Sequence, residues 1–95
     1  MADYYFNIYE FTKDAPINDN LALALGRPAS YLHIMVLEGD IEVRVNAGNW
    51  ISLSSAGKND ELEIKSKDAE YSLWMDNFEM RTGSTTPVRV WVFAR

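Results

Sequence analysis

From Leu32 to Glu38, and again from Ile41 to Val45, apolar and polar positions alternate with the two-residue period of a strand that buries one face. A turn at Gly39 separates the two runs and predicts a hairpin, closed either by Gly39-Asp40 or by Glu38-Gly39. Both loops put Ile34 and Val36 on the same face as Ile41, Val43 and Val45, so the core face does not depend on the choice. The other face sets Tyr31, His33, Met35 and Leu37 of the first strand beside Glu42 and Arg44 of the second, an apolar row against a charged one. Asn46-Ala47-Gly48 reads as a three-residue hairpin loop with Gly48 in the left-handed position. Ile51 and Leu53 then face the core, and Trp50 and Ser52 share the outer face with Arg44, whose guanidinium can stack on the indole. A two-residue loop, Ala47-Gly48, would reverse these faces. A left-handed Gly48 also makes Gly48→Val more damaging than Gly39→Val, which a shift of the first loop would absorb.

Before this stretch, Tyr4 to Phe11 is dense in aromatics on both parities, with Tyr4, Phe6 and Ile8 on one and Tyr5, Asn7, Tyr9 and Phe11 on the other, and predicts a strand apolar on both faces. Lys13 to Asn20 reads as a loop around Pro16. Leu21 to Gly26 has leucine at every second position with alanine between, which suits a strand by spacing and a helical turn by propensity. We read it as a short strand, ended where Pro28 keeps Arg27 out of the helical region. After a polar loop over 54–60, Glu61 to Lys65 alternates with Leu62 and Ile64 inward. Ser66 to Asp68 reads as a turn and Glu70 to Asp76 as a strand with Tyr71, Leu73 and Met75 on one face. Phe78 to Arg81 continues that strand after a break, Gly83 to Pro87 is a loop, and Val88 to Ala94 closes the chain with Val88, Val90 and Val92 set against Arg89, Trp91 and Phe93. Seven to nine short strands with no convincing amphipathic helix predict an all-β fold, an antiparallel β-sandwich or jelly roll.

Composition narrows the picture further. Ninety-five residues, 47% of them apolar and 24% charged, make one folded domain over 1–95. The formal net charge is −5 and the nine basic residues are scattered, which argues against phosphate-backbone binding to nucleic acid and against an anionic membrane surface. The N-terminus has no basic and apolar signal-peptide pattern, and no apolar run approaches the ~20 residues of a membrane span. The chain is therefore expected to be made in the cytoplasm and to be soluble.

Candidate chemistry is sparse. One histidine and no cysteine leave His33 without the companions of a usual zinc or iron site, so no stoichiometric transition metal and no cofactor are expected. No Gly-x-Ser-x-Gly elbow and no glycine-rich phosphate loop occur, and the serines lie in polar turns. Glu38 and Asp40 flank Gly39 but read as solvated tip carboxylates. Asp14, Asn18, Asp19 and Asn20 could offer oxygens to calcium, though their spacing is not that of an EF-hand and Pro16 interrupts it. No catalytic residue is assigned.

The run Leu37 to Asp60, with its Gly-x-Ile-x-Val strand, Gly-Asn turn and following Ile-x-Leu strand, resembles the hairpins of cupin-type jelly rolls over roughly a quarter of the chain. The family's metal pattern, a His-x-His pair with a glutamate and a further histidine, is missing, and a cupin-like enzyme ranks third among the functions considered. In overall character, small, cysteine-free and all-β, the chain resembles the decoration or minor structural proteins of tailed-phage virions. That likeness implies a non-enzymatic structural or interaction module that oligomerises or coats a larger assembly, with association to a virion. The second reading is a carbohydrate-binding β-sandwich using Trp50, Trp74, Trp91 and the N-terminal tyrosines. Tyr4 to Phe11, Tyr31 to Leu37 and Val88 to Ala94 are apolar on both faces, so one face of each needs a cover. The expected interface is Tyr5, Tyr9, Phe11, Met35, Leu37, Trp91 and Phe93, taken by a second subunit or partner protein unless Leu21 to Leu25 and the loop before it fold across it.

Overall fold

The computed structural model describes residues 3–57, 59–65 and 74–95. Among them the elements run β1 (Tyr5–Phe11), β2 (Ile17–Asn20), α1 (Leu21–Leu25), β3 (Tyr31–Glu38), β4 (Asp40–Val45), β5 (Ile51–Ser54), β6 (Glu61–Lys65), β7 (Asn77–Arg81) and β8 (Val88–Ala94). The strands form two four-stranded sheets, ordered β1-β8-β3-β6 and β2-β7-β4-β5, with every pairing antiparallel. First pairs with last throughout: β1 with β8, β2 with β7, β3 with β6, and β4 with β5. A long antiparallel ribbon rolled up on itself gives this order, with successive strands alternating between sheets except at the β4–β5 hairpin. The fold is an all-β sandwich, the class that the alternating pattern predicted, and its strand order, which the pattern left open, is that of a jelly roll.

The expected hairpin at Gly39 is not formed. β3 and β4 belong to different sheets, and Gly39 is the corner where the chain crosses between them, at φ 95°. Its N–H donates to Ser55 Oγ at 3.0 Å and its carbonyl accepts from Ser55 N–H at 3.0 Å. The core face survives this correction, because inward residues of two facing sheets and of one hairpin follow the same alternation. Leu32, Ile34 and Val36 of β3 are buried, and so are Ile41 and Val43 of β4.

The β4–β5 hairpin has the expected register, with Ile41 opposite Leu53 and Val43 opposite Ile51. Leu53 is buried, whereas Ile51, on an edge strand, stays 40% exposed. The left-handed residues of the turn are Asn46 and Ala47, at φ 52° and 57°, rather than Gly48. Gly48 N–H instead donates back to the Val45 carbonyl at 3.0 Å.

Two elements differ from expectation. Ile17–Asn20, read as loop, pairs with β7 as an edge strand. Leu21–Leu25 is helical because both of its ends are capped: Asn20 Oδ1 accepts from Leu23 N–H at 2.8 Å, and Gly26 takes the left-handed position at φ 78°. Leucine and alanine favour the helix, and the turn places Leu21 and Leu25 together while turning Leu23 outward. Leu21 and Leu25 are buried and Leu23 is 82% exposed. The helix packs against β1 and β7, one strand from each sheet, and so seals the gap between them. It does not fold across the outer face of either sheet.

The expected strand over 70–76 lies largely outside the described residues. Its last part is described at Met75, which is buried and exchanges two backbone hydrogen bonds with Ala29, at 2.8 and 2.9 Å. Phe78, Met80, Val88, Val90, Val92 and Ala94 complete the core. Each fully buried Val, Leu, Ile, Met or Phe side chain contributes about 1.5–3 kcal/mol.

Candidate interaction surface

Each sheet turns one face to the core and one outward, and the two outward faces differ in chemistry. On the β2-β7-β4-β5 sheet, cross-strand pairing sets Glu42 opposite Arg81 and Arg44 opposite Glu79. Arg81 Nε donates to Glu42 at 3.0 Å and Arg44 Nε donates to Glu79. Trp50 receives both guanidiniums, centred 4.6 Å from its ring for Arg44 and 3.8 Å for Arg81. The stacking expected for Arg44 is present, and Arg81 joins it. Charges in this row are matched and solvated, as on an ordinary outer sheet face.

The outward face of the β1-β8-β3-β6 sheet is aromatic. Valines at 88, 90 and 92 point inward on β8, leaving Arg89, Trp91 and Phe93 outside. Register builds rows across the sheet: Phe6 beside Phe93, His33 and Glu63, and Ile8 beside Trp91, Met35 and Glu61. Rings join along the diagonals as well. Trp91 meets Phe6 edge-on at 5.7 Å and His33 edge-on at 5.0 Å, and stacks with Phe93 at 6.3 Å. Phe93 in turn stacks with Tyr4 at 6.0 Å and meets Tyr31 edge-on at 6.1 Å. A β-bulge between Val36 and Glu38 sits at Leu37, which is 43% exposed.

Charge is confined to the rim of this patch. On β6, His33 Nε2 lies 3.2 Å from Glu61, and Lys65 Nζ lies 3.6 Å from Glu63. The Tyr31 hydroxyl donates to Glu63 at 2.5 Å; that bond holds the Glu63 carboxyl below its usual range and pushes Tyr31 above its own. Arg95 lies over the Tyr31 ring at 5.0 Å, and Arg89 approaches Glu10 at 3.9 Å.

Of the seven residues expected at an interface, four lie on this face: Met35, Leu37, Trp91 and Phe93. The other three are on the inner side of β1. Tyr9 and Phe11 are buried and Tyr5 is packed against the core, so these three are withdrawn from the surface. In their place stand Phe6 and Ile8 of β1 and Tyr4 just before it, which are 48%, 46% and 59% exposed. The missed signal was Glu10, which shares the parity of Tyr4, Phe6 and Ile8; a charged residue marks the solvent side of a strand apolar on both parities. Tyr31 and His33, in the outer row of β3, also join the patch.

Tyr5 and Tyr9 serve a different purpose. Both hydroxyls reach Asp19 on β2, Tyr5 at 3.1 Å, and they hydrogen-bond each other, tying the edge of one sheet to the edge of the other. Burial, reinforced for Tyr9 by donation to Asp19, pushes both phenols above their usual range. Asp19 is thereby engaged inside the fold and Asn20 caps α1, so two of the four oxygen-bearing residues weighed for calcium have structural partners. Among the described residues no group of three or more His, Cys, Asp or Glu side chains is placed to hold a metal ion. A cleft of about 450 Å³ on the other sheet is lined by Lys13, Asn18, Trp50, Glu79, Arg81 and Thr82. Among the described residues no helix is long and apolar enough to cross a membrane. Comparison of the chain with protein-family models, curated proteins and solved structures finds no match.

Proposed function

We propose that the protein is a non-enzymatic interaction module that self-associates or coats a larger assembly, in the manner of a virion accessory protein, through the outer face of its β1-β8-β3-β6 sheet. The observation that supports this is the contrast between the two outer faces of one sandwich. One is covered by matched ion pairs, while the other exposes a contiguous set of aromatic and aliphatic side chains with charges only at its rim. Aromatic centres with polar rims mark protein contact surfaces, where Trp, Tyr and Phe are enriched and a few residues, Trp and Tyr prominent among them, dominate the binding energy.

Trp91, in contact with three other rings, is the expected anchor. Trp91→Glu should keep the far-ultraviolet circular dichroism of the wild type and lose its sedimentation as oligomers or on larger particles. Phe6→Lys, at a more exposed position, should do the same with less risk to folding. Identical sedimentation of the wild type and both folded variants would overturn the reading.

Carbohydrate binding is the second reading, favoured by the cleft in which Trp50 is surrounded by Lys13, Asn18, Glu79 and Arg81. Glycan-array binding by the wild type that disappears in Trp50→Ala would move the assignment there.

A further inference from the structure

Resting on the reading of the aromatic face given above, we propose that its occupant is a second copy of this chain, packed face to face about a two-fold axis that runs across the strands. Registered rows make this face self-complementary. With the axis on the row Phe6, Phe93, His33 and Glu63, positions two residues to either side on each strand exchange between copies. Glu61 of one copy then meets Lys65 of the other, twice by symmetry, and Met35 meets Tyr31. On β1, Ile8 meets Tyr4. Arg95, which already lies over Tyr31, comes against Trp91 of the opposite copy. Glu63 meets its own counterpart at the rim, where Lys65 at 3.6 Å and the Tyr31 hydroxyl at 2.5 Å attend it within each copy.

Two other arrangements of the copies fit worse. An axis along the strands lays β1 over β6 and drives Phe6 onto Glu63 and Ile8 onto Glu61, burying carboxylates against hydrocarbon. Moving the cross-strand axis to the row of Trp91 sets Phe6 against Glu10 and Phe93 against Arg89, and leaves Lys65 without Glu61 opposite. Aligned sheets pack at about 30° to one another. Such a rotation displaces the outer strands by roughly one residue, a distance that lysine and glutamate side chains span.

The size of the face suits a reversible pair. Four strands about 4.8 Å apart and seven residues at about 3.3 Å each give a face of roughly 19 by 23 Å. The two flat faces together come to roughly 870 Å², below the ~1,200 Å² lower end of stable complexes and in the range of weak, transient pairs.

Sedimentation equilibrium tests the pairing. Wild-type protein should pass from one chain towards two as concentration rises. Glu61→Lys and Lys65→Glu should each weaken the pair about tenfold, equivalent to ~1.4 kcal/mol, and the double variant should recover most of that loss. Circular dichroism and thermal melts confirm that each variant is folded. A wild type that remains monomeric at the highest attainable concentration overturns the proposal. Failure of the double variant to recover the loss seen in the single charge variants also overturns it, while a dimer still broken by Phe6→Lys leaves the face as an interaction surface. Indifference of the dimer to both Phe6→Lys and Trp91→Glu overturns that surface as well.

Discussion

A Cβ placed on Gly39 would stand 2.4 Å from Val88 Cγ1, on a backbone held at φ 95°. Backbone strain and overpacking then act together, so Gly39→Ala should cost on the order of 3 kcal/mol. That corresponds to a fall of roughly 12–24 °C in thermal midpoint for a domain of this size. Gly48 has a negative φ and meets only the Val45 carbonyl, at 3.1 Å, so Gly48→Ala should cost under about 1 kcal/mol. This order reverses the one that turn chemistry predicted, because the deciding contact joins residues almost fifty positions apart and leaves no local trace. Asp19 was hidden in the same way: it reads as a loop oxygen until β2 brings it to Tyr5 and Tyr9. Tyr9→Phe should cost about 1–3 kcal/mol at neutral pH by taking a hydrogen bond from a carboxylate. The phenol also sets an alkaline limit. The fold holds the Tyr9 proton above the usual range, and the unfolded chain releases it above about pH 10. Its contribution is therefore whole below that pH and shrinks as pH climbs towards the folded value. Melting midpoints measured across this range should fall less steeply in Tyr9→Phe.

At the level of elements, the apolar patterning located seven of the eight strands among the described residues closely, missing β2, and the inward residues of most of them. It could not say which strands are neighbours. The clue was present in the unequal outer rows of β3 and β4: Tyr31, His33, Met35 and Leu37 are a poor match for Glu42 and Arg44 on one sheet, and these rows belong to different sheets. Helix α1 defeated the period for another reason. Leucine at 21, 23 and 25 satisfies a strand, and only the caps at Asn20 and Gly26 break the tie. The two structures of this segment differ in Leu23. In a strand it would share the buried face of Leu21 and Leu25; in the helix it points to solvent. Leu23→Lys should therefore change stability by less than about 0.5 kcal/mol, and Leu21→Ala should cost about 2–5 kcal/mol. Denaturant titration of the two variants separates the alternatives, since equal losses would restore the strand.

For the molecule as a whole, a rolled ribbon produces two outer faces that are free to differ, and here they do. The candidate surface was half visible in the sequence: β3 and β8 declared an apolar outer row, whereas β1 carried aromatics on both parities and only Glu10 marked its outside. How the three strands share one sheet required the fold. First-with-last pairing also has a consequence in time. β8 lies between β1 and β3, so the sheet that carries the aromatic rings has no centre until β8 has left the ribosome. Tyr5–Phe11 and Tyr31–Glu38 emerge long before their shared neighbour and wait with both faces wet. Such distant pairings slow folding, to the milliseconds-to-seconds range of β-rich domains. The same hydrophobic rows that equip the finished surface for a partner are therefore exposed earliest and longest in the nascent chain, where crowding by other polypeptides is the hazard.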